Sequence, residues 1–444
     1  MTTAERLIEE CLVELLGHLG IERAHIAAGG NPTLTDWHGL STRHPERIAS
    51  LIVVSPPILD SSELAGVASR MLVVAGDQAD TGQGAARLAA ALPDVSVYSL
   101  RDYETQPWAD VAADRCDELA AAMLPFLDRH PAAEVALPEM AGEIAGISYR
   151  IRGAGPPLVL TPLMLAPAQW EPLLPTLASR YCTISLGGPR LGVVGILEAR
   201  GRSAYLTVVR NVLDVAAIQP GETVLEVGGG SGVVLREIAR RTVGASRIVD
   251  VDINPYLLRE AAGLARQAGL AGRMEFREGS AELLPLADDS VDVALSFTVL
   301  EEGDADRMLS ELVRVTRPGG RVAAIVRAID MPAWLSVPLD AEILAKAEHQ
   351  RGIANGTVAA AGCGDRSLFR RMRAVGLTGL TCFPQFAVLS PEETSRLAIV
   401  KQRILAALTA AEAREWQDAA ARADAEGTFF IAATYHCAVG IKSA

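Results

Sequence analysis

The stretch VLEVGGGSG, residues 224–232, restricts what this chain can fold into more than any other. An apolar run carries Glu226 and passes into a G-x-G-x-G turn made by Gly228, Gly230 and Gly232, with Gly229 between them. Glycines at this spacing let a strand turn sharply into a helix. They also bring backbone N–H groups close to a ligand with no Cβ in the way. The segments around the turn alternate: VVLREIARRTV reads as a helix, SRIVDVDINP as a strand and YLLREAAGLARQAGL as a helix. RMEFREGS, SVDVALSFT and GGRVAAIVR follow as strands, with the helix ADRMLSELVRVTR before the last. Strands separated by helix-length segments predict right-handed βαβ units and a parallel, doubly wound α/β sheet covered on both faces.

Asp252 closes the second strand, 26 residues past Glu226. That is near the ~20 residues at which an acid accepts hydrogen bonds from ribose hydroxyls in such a sheet. Asp250 shares its strand face by period-two alternation and is the alternative ribose acid; Asp252 is the one at the strand end. Two nucleotide cofactors suit this frame. The dinucleotide pattern G-x-G-x-x-G requires a small residue at 233, where Val233 stands, and no second nucleotide-binding half follows. Glu226 ahead of the glycines repels a pyrophosphate and suits a cationic ligand. The residues therefore favour S-adenosylmethionine, whose sulfonium and α-amino groups are positive.

Residues ~195–444 resemble a class I S-adenosylmethionine-dependent methyltransferase of the type 11, small-molecule kind. E-V-G-G-G-S-G is similar to the first motif of that family and D-V-D-I-N-P to its second. R-E-G-S-A-E-L-L-P-L is similar to its "GDAexLPF" stretch, D-S-V-D-V-A-L-S to its fourth strand, and R-V-T-R-P-G-G-R-V to the turn into its fifth. The resemblance implies a Rossmann-like sheet, with S-adenosylmethionine as cofactor and S-adenosylhomocysteine as product. It implies a cradle of Glu226, Gly228, Gly229, Gly230 and Gly232, Asp252 on the ribose, Ile253 against adenine, and Ser280, Ala281 and Ser296 along the remaining wall. Ser280 stands where the family commonly has an Asp. Tyr205 is implied at the methionine end, with core packing as its alternative.

The same resemblance places an acceptor beside the end of the fourth strand, SFTVLEEGDAD, where many relatives carry a His. Glu301 and Glu302 stand there, suited to accept a proton or hold a cationic substrate. Their alternative is a place as first-turn acids of a helix over 304–315, stabilised by its dipole. Methyl transfer from a sulfonium is an in-line displacement that draws mainly on proximity and orientation, so no catalytic residue is assigned. His436 reads as a hydrogen-bonded core histidine. Neither it nor His349 forms a ligand cluster with acids or Cys, so no metal is expected. The alternative to an enzyme is a non-catalytic scaffold or sensor that binds the cofactor.

Residues 23–55 and 71–80 resemble the central part of an α/β-hydrolase, with its nucleophile elbow, "HPERV" stretch and acid-bearing strand. Asn31 takes the nucleophile position, Thr33 the place of the elbow's second Gly, and Asp80 that of the triad acid. An amide does not attack, and YSLRDYETQPW lacks the expected His, so hydrolysis is not expected, with a residual esterase as the alternative. Residues 147–190 resemble the opening strands of the same fold, with ISYRIRGAGPPLVLTPL as a hairpin or strand pair. The reading is a degenerate, circularly permuted hydrolase-like domain: its back half at 1–130, a linker at 131–145, and its opening piece at 146–190. The methyltransferase-like domain then fills 195–444, with a helical hairpin inserted at 390–426. Ser390-Pro-Glu-Glu393 and Thr409 with Glu412 read as capping boxes opening its two helices.

Composition narrows the partners. With 41 Lys and Arg against 54 Asp and Glu, the net charge is −13, and aromatics make up 5% of 444 residues. Nucleic acid and anionic lipid require clustered basic side chains, so neither is expected as a partner. No apolar run reaches the ~20 residues of a membrane span. The N-terminus carries acids where a secretory signal has basic residues, and the six cysteines form no CxxC pair. Both point to a cytoplasmic protein with reduced thiols, and the small-molecule acceptor is what the resemblance implies. The hydrolase-like domain is a possible surface for homo-oligomers.

Overall fold

The computed structural model describes residues 7–29, 37–55, 64–103, 111–188, 191–242, 246–349, 358–389 and 394–443. The chain divides into two compact units, Met1–Glu198 and Ala199–Ala444.

In the first unit, strands β1 (Ala24–Gly29), β2 (Ile48–Val54), β3 (Met71–Gly76) and β4 (Ser96–Leu100) join β5 (Met140–Ile144), β6 (Ile147–Arg152), β7 (Pro157–Leu160) and β8 (Cys182–Gly187). They form one eight-stranded sheet of order β4-β3-β2-β1-β7-β8-β6-β5. Every residue of β1, β2 and β3 is buried, as strands covered on both faces require. Residues alternate between two cores: Leu51 and Val53 enter one, Ile52 and Val54 the other.

Three expectations change here. The hairpin expected over 147–163 does not form, because β8 lies between β6 and β7. The turn from β6 to β7 runs close beneath the chain that leads into β8. A Cβ on Gly153 would lie 2.6 Å from the carbonyl oxygen of Tyr181, and one on Gly155 2.6 Å from that of Arg180. The linker 131–145 is built into the sheet: Met140–Ile144 pairs antiparallel with β6, and Val135 bridges to Gly155. Residues 111–129, which the apolar pattern reads as one helix, form two, Val111–Asp114 and Cys116–Asp128: the chain breaks at Arg115, whose φ of −134° leaves the helical region while its guanidinium reaches Glu118 and the carbonyl oxygens of Arg101 and Asp102. Asn31 and Thr33 lie outside the described residues, and the side chain of Asp80 is likewise not described.

In the second unit, β9 (Thr223–Val227), β10 (Arg247–Asp252), β11 (Met274–Glu278), β12 (Val291–Phe297) and β13 (Thr316–Arg327) are parallel. The antiparallel β16 (Phe430–Lys442) runs between β13 with β14 (Trp334–Ser336) on one side and β15 (Leu377–Val388) on the other. One face packs against helices Tyr205–Ala216 and Val233–Arg241, the other against Ala305–Val315 and Ser367–Ala374. Helices Thr394–Ala407 and Ala410–Ala425 fall between β15 and β16 and send Val400, Ile404, Trp416 and Ala419 into the core that holds Tyr205. Thr409 and Glu412 form the expected capping box; the one expected at 390–393 lies outside the described residues. Helix Ser367–Ala374 takes its capping bond one residue earlier than a standard N-cap, with Ser367 N–H donating to Asp365 Oδ1.

Candidate functional site

The site forms where β9 ends. Gly228, Gly230 and Gly232 take φ of +70°, +58° and +75°, conformations a side chain makes costly. Steric room imposes the same choice: a Cβ on Gly228 would overlap Val299 Cγ2, and one on Gly229 would overlap Leu235 Cδ1. The turn is tied to β10 by three bonds. Gly228 N–H donates to the Val251 carbonyl (2.7 Å), Gly229 N–H to Asp250 Oδ1 (3.1 Å) and Gly230 N–H to Asp252 Oδ2 (3.0 Å). Asn254 then caps helix Pro255–Gln267, accepting from Tyr256 and Leu257 N–H while its own N–H donates to Asp252 Oδ1. D-I-N-P holds the sequence signal for that cap, an Asn followed by Pro at the first helical position.

Glu226, Asp250 and Asp252 lie on neighbouring strands and are 3%, 0% and 8% exposed. Burial raises the Glu226 carboxyl well above its ordinary range; Asp250 and Asp252 add to the rise and Arg236 opposes it. Asp250 is raised well above its range by burial and then by Asp252, against the Gly229 bond. Asp252 is raised by burial and held down in part by the N–H groups of Asn254, Gly230 and Ile253. Among the described residues, Glu226 Oε2, Asp250 Oδ2 and Ser296 Oγ are buried with no hydrogen-bond partner. Three acids beside an open-backboned glycine turn make a pocket deficient in positive charge.

The remaining expected positions gather around this turn to different degrees. Gly279 N–H donates to the Asp252 carbonyl, which ties the loop of Ser280 to the end of β10. Ser280 Oγ accepts from Glu282 N–H, and Ala281 packs against the core. Ile253 and, in the adjoining loop, Leu283 are 71% and 72% exposed, large aliphatics left facing outward. Ser296 pairs with Val227 in register. Tyr205 is buried in the core, its ring 5.3 Å from that of Tyr435. Burial raises its phenol, Arg200 opposes the rise, and Tyr435 and Glu226 add to it. The Arg200 guanidinium lies over the Tyr205 ring and donates to Thr298 Oγ1 at the tip of β12 (3.2 Å). No spacing in the sequence marks Arg200.

Glu301 and Glu302 are not first-turn acids. Asp304 caps helix Ala305–Val315, and Asp306 is the acid of its first turn. Glu301 is turned inward, with Oε1 accepting from Arg327 N–H (2.6 Å) and Nε (3.3 Å), and Glu302 Oε1 accepts from Arg327 Nη2 (2.8 Å). Burial raises the Glu301 carboxyl, and the Arg327 charge opposes it. His436, the expected core histidine, is only 12% exposed at its side chain and bonds Asp330 Oδ1 through Nε2 (2.8 Å). Among the described residues no group of three His, Cys, Asp or Glu side chains is placed to hold a metal ion. No described helix is long and apolar enough to cross a membrane.

The model of a methyltransferase domain family matches residues 225–324, from β9 through most of β13. These residues form a methyltransferase domain. The ubiquinone/menaquinone biosynthesis C-methyltransferase UbiE of Klebsiella pneumoniae is 28% identical over 148 residues, 31% of this chain and 59% of that protein. The UbiE protein of Escherichia coli O1:K1 is 31% identical over 117 residues, 26% of this chain and 47% of that protein. The chain thus spans about half of the length of these curated relatives. Among solved structures, the YcgJ protein from Bacillus subtilis is 16% identical with a TM-score of 0.39, covering 53% of this chain and 98% of that one. A geranyl diphosphate methyltransferase in complex with SAM is 16% identical with a TM-score of 0.33, covering 53% and 84%.

S-adenosylmethionine is the cofactor of the methyltransferase domain, and the residues present fit it. The unpartnered oxygens of Glu226 and Asp250 and the raised carboxyls beside them call for a cationic ligand, and the glycine turn leaves the space a Cβ would fill.

Proposed function

We propose that the chain transfers a methyl group from S-adenosylmethionine to a small-molecule acceptor. The observation that carries this reading is the cradle: three buried acids, two with unpartnered oxygens, around glycines whose φ values exclude side chains. Glu226 would take the amino-bearing, cationic end of the cofactor, Asp252 the ribose, the Gly228–Gly232 backbone the remainder, and Ile253 and Ser280 the base. When bound, the cofactor supplies a methyl group already activated by positive sulfur. The chain's part is to orient the two reactants and to hold negative charge near the sulfonium. Arg327 engages both Glu301 and Glu302, so this reading gives them the task of fixing the chain after β12 rather than proton transfer.

The accepting atom is part of the proposal. This reading takes oxygen or nitrogen as the acceptor. The curated relatives are named for C-methylation, which makes carbon the competing acceptor. Incubating the full chain with methyl-labelled S-adenosylmethionine and a metabolite extract should label small molecules, and the chemical shift of the new methyl carbon names the accepting atom. Gly228→Ala should abolish the label. If the cofactor binds by calorimetry and no label moves, the second reading holds: a non-catalytic scaffold, favoured by the engagement of Glu301 and Glu302. Absence of binding would overturn both.

We further infer that the first unit is a circularly permuted, non-hydrolytic relative of the α/β-hydrolases. Support comes from β1, which belongs to the elbow-like piece and pairs in parallel with β7 of the opening piece. An ester-hydrolysis assay should read background; activity lost on Asn31→Ala would overturn this.

A further inference from the structure

S-adenosylmethionine carries its α-amino group and a carboxylate on the same carbon. Holding the ammonium at Glu226 therefore brings an anion close to three buried acids. Those acids repel a carboxylate, so it needs a cation of its own. Two cations are among the charges that act on Glu226 and on Tyr205: Arg236 on the first, Arg200 on the second. Arg236 is 5% exposed and donates through Nη1 to the Ser231 carbonyl (2.8 Å), which commits it to the glycine turn itself. Arg200 is half-buried and placed differently.

The Arg200 guanidinium lies 5.4 Å from the centroid of the Tyr205 ring, and its Nη1 donates to Thr298 Oγ1 (3.2 Å). Tyr205 feels the charges of both Arg200 and Glu226, so it stands within range of the cation and of the acid. Its Oη, buried beside Thr298, has no hydrogen-bond partner of good geometry. Thr298 is the first residue past β12, the strand that pairs in parallel with β9. It holds φ of +62°, a conformation that a β-branched residue seldom takes. Its N–H donates to the Ile325 carbonyl (2.7 Å), and the next residue, Val299, fills the space beside Gly228. Arg200 is thus joined through Thr298 and Val299 to the wall of the glycine turn. Among the described residues its other edge, Nε with Nη2, has no hydrogen-bond partner. That edge presents two parallel N–H groups, the pattern that matches the two oxygens of a carboxylate.

We propose that Arg200 binds the α-carboxylate of S-adenosylmethionine through the edge that Thr298 leaves free, with Tyr205 and Thr298 holding the guanidinium in place. The inference rests on the reading of the cradle as the cofactor's site. It divides the methionine end between opposite charges: Glu226 meets the ammonium and Arg200 the carboxylate. An Arg200 that only braced Thr298 would support every ligand of the cradle alike. An Arg200 that binds the carboxylate supports only ligands that carry one. Toward a ligand with sulfonium and amine alone, both cationic, it is neutral or repulsive.

The test is calorimetry of the full chain with S-adenosylmethionine and with its decarboxylated form, which keeps the nucleoside, the sulfonium and the amine. The unaltered chain should bind S-adenosylmethionine at least about 10-fold more tightly than the decarboxylated form, as a charge-assisted pair allows. Arg200→Ala should remove most of that preference by weakening S-adenosylmethionine, with the decarboxylated form bound as well as before or better. Undiminished binding of the decarboxylated form also reports that the variant is folded. Arg200→Lys keeps the charge but not the paired N–H edge; it should show an intermediate preference, and it carries the test if Arg200→Ala does not fold. Equal affinity of the unaltered chain for the two compounds would overturn the proposal and leave the cradle standing. So would a folded Arg200→Ala that weakens both by the same factor. Binding of neither compound to the unaltered chain would overturn the cofactor reading, and the proposal with it.

Discussion

A glycine turn is common, but here each glycine answers to a named constraint, and this makes the site testable one residue at a time. Gly228 combines φ of +70° with overlap against Val299. Gly228→Ala should therefore cost about 1–2 kcal/mol in backbone conformation alone, with cofactor affinity lowered at least about 10-fold by calorimetry. The acids permit a subtler prediction. Glu226, Asp250 and Asp252 are all raised, chiefly by burial. A raised acid is protonated in the folded state at a pH where it would ionise when unfolded, and a cationic ligand favours its ionised form. Binding of S-adenosylmethionine should therefore release protons at pH values where these acids are still protonated in the free protein. Calorimetry in two buffers of different ionisation enthalpy should give different apparent heats, and Glu226→Gln should shrink the difference. Identical heats in both buffers would mean the acids are ionised already. Asp252→Asn should weaken the cofactor more than Asp250→Asn does, because Asp252 is at the strand tip and Asp250 is sealed beneath Gly229.

Elements differ in how legible they were. The cap of Ala410–Ala425 could be read directly, since Thr409 and Glu412 satisfy each other's backbone N–H groups. Thr409→Ala should cost about 1 kcal/mol, visible as a drop of about 2–4 °C in the melting of the second unit. Apolar periodicity, glycine turns and caps are local signals, and with them the order of strands β9 to β13 was readable. Pairing between distant segments was not. β8 inserting between β6 and β7, and the strand at Met140–Ile144, depend on partners up to some 40 residues away and on carbonyls that approach Gly153 and Gly155. The same limit applied to side chains. His436 read as a hydrogen-bonded core histidine, but nothing in an apolar strand announces its partner Asp330, 106 residues earlier. Glu301 and Glu302 read either as acceptor-site acids or as helix-start acids because their partner Arg327, at the end of the neighbouring strand, is 25–26 residues away in sequence.

On the scale of the whole chain, two units with separate cores hold titratable groups that respond to pH in opposite directions. In the first unit, His25 is 1% exposed, bonded through Nδ1 to Ser50 Oγ and edge-on to Tyr181. Burial first, then His130 and Arg23, lowers it from 6.5 to about 4. The unfolded chain binds this proton more readily, so stability is full above pH 6.5 and falls as pH drops toward 4, by up to about 3 kcal/mol. His130, also lowered by burial, acts in the same direction. In the second unit the raised acids of the cradle act the other way. Their contribution is present below the unfolded carboxyl range and is lost as pH rises through their folded values. Carboxyls lowered by ion pairs, such as Glu222 and Asp292, stay ionised above pH 5 in both states and add no slope there. Scanning calorimetry from pH 5 to 7 should therefore show one transition moving up and the other down. S-adenosylmethionine should raise only the second, and His25→Gln should flatten only the first. A single transition with one pH slope would contradict the assignment of these groups to independently responding units.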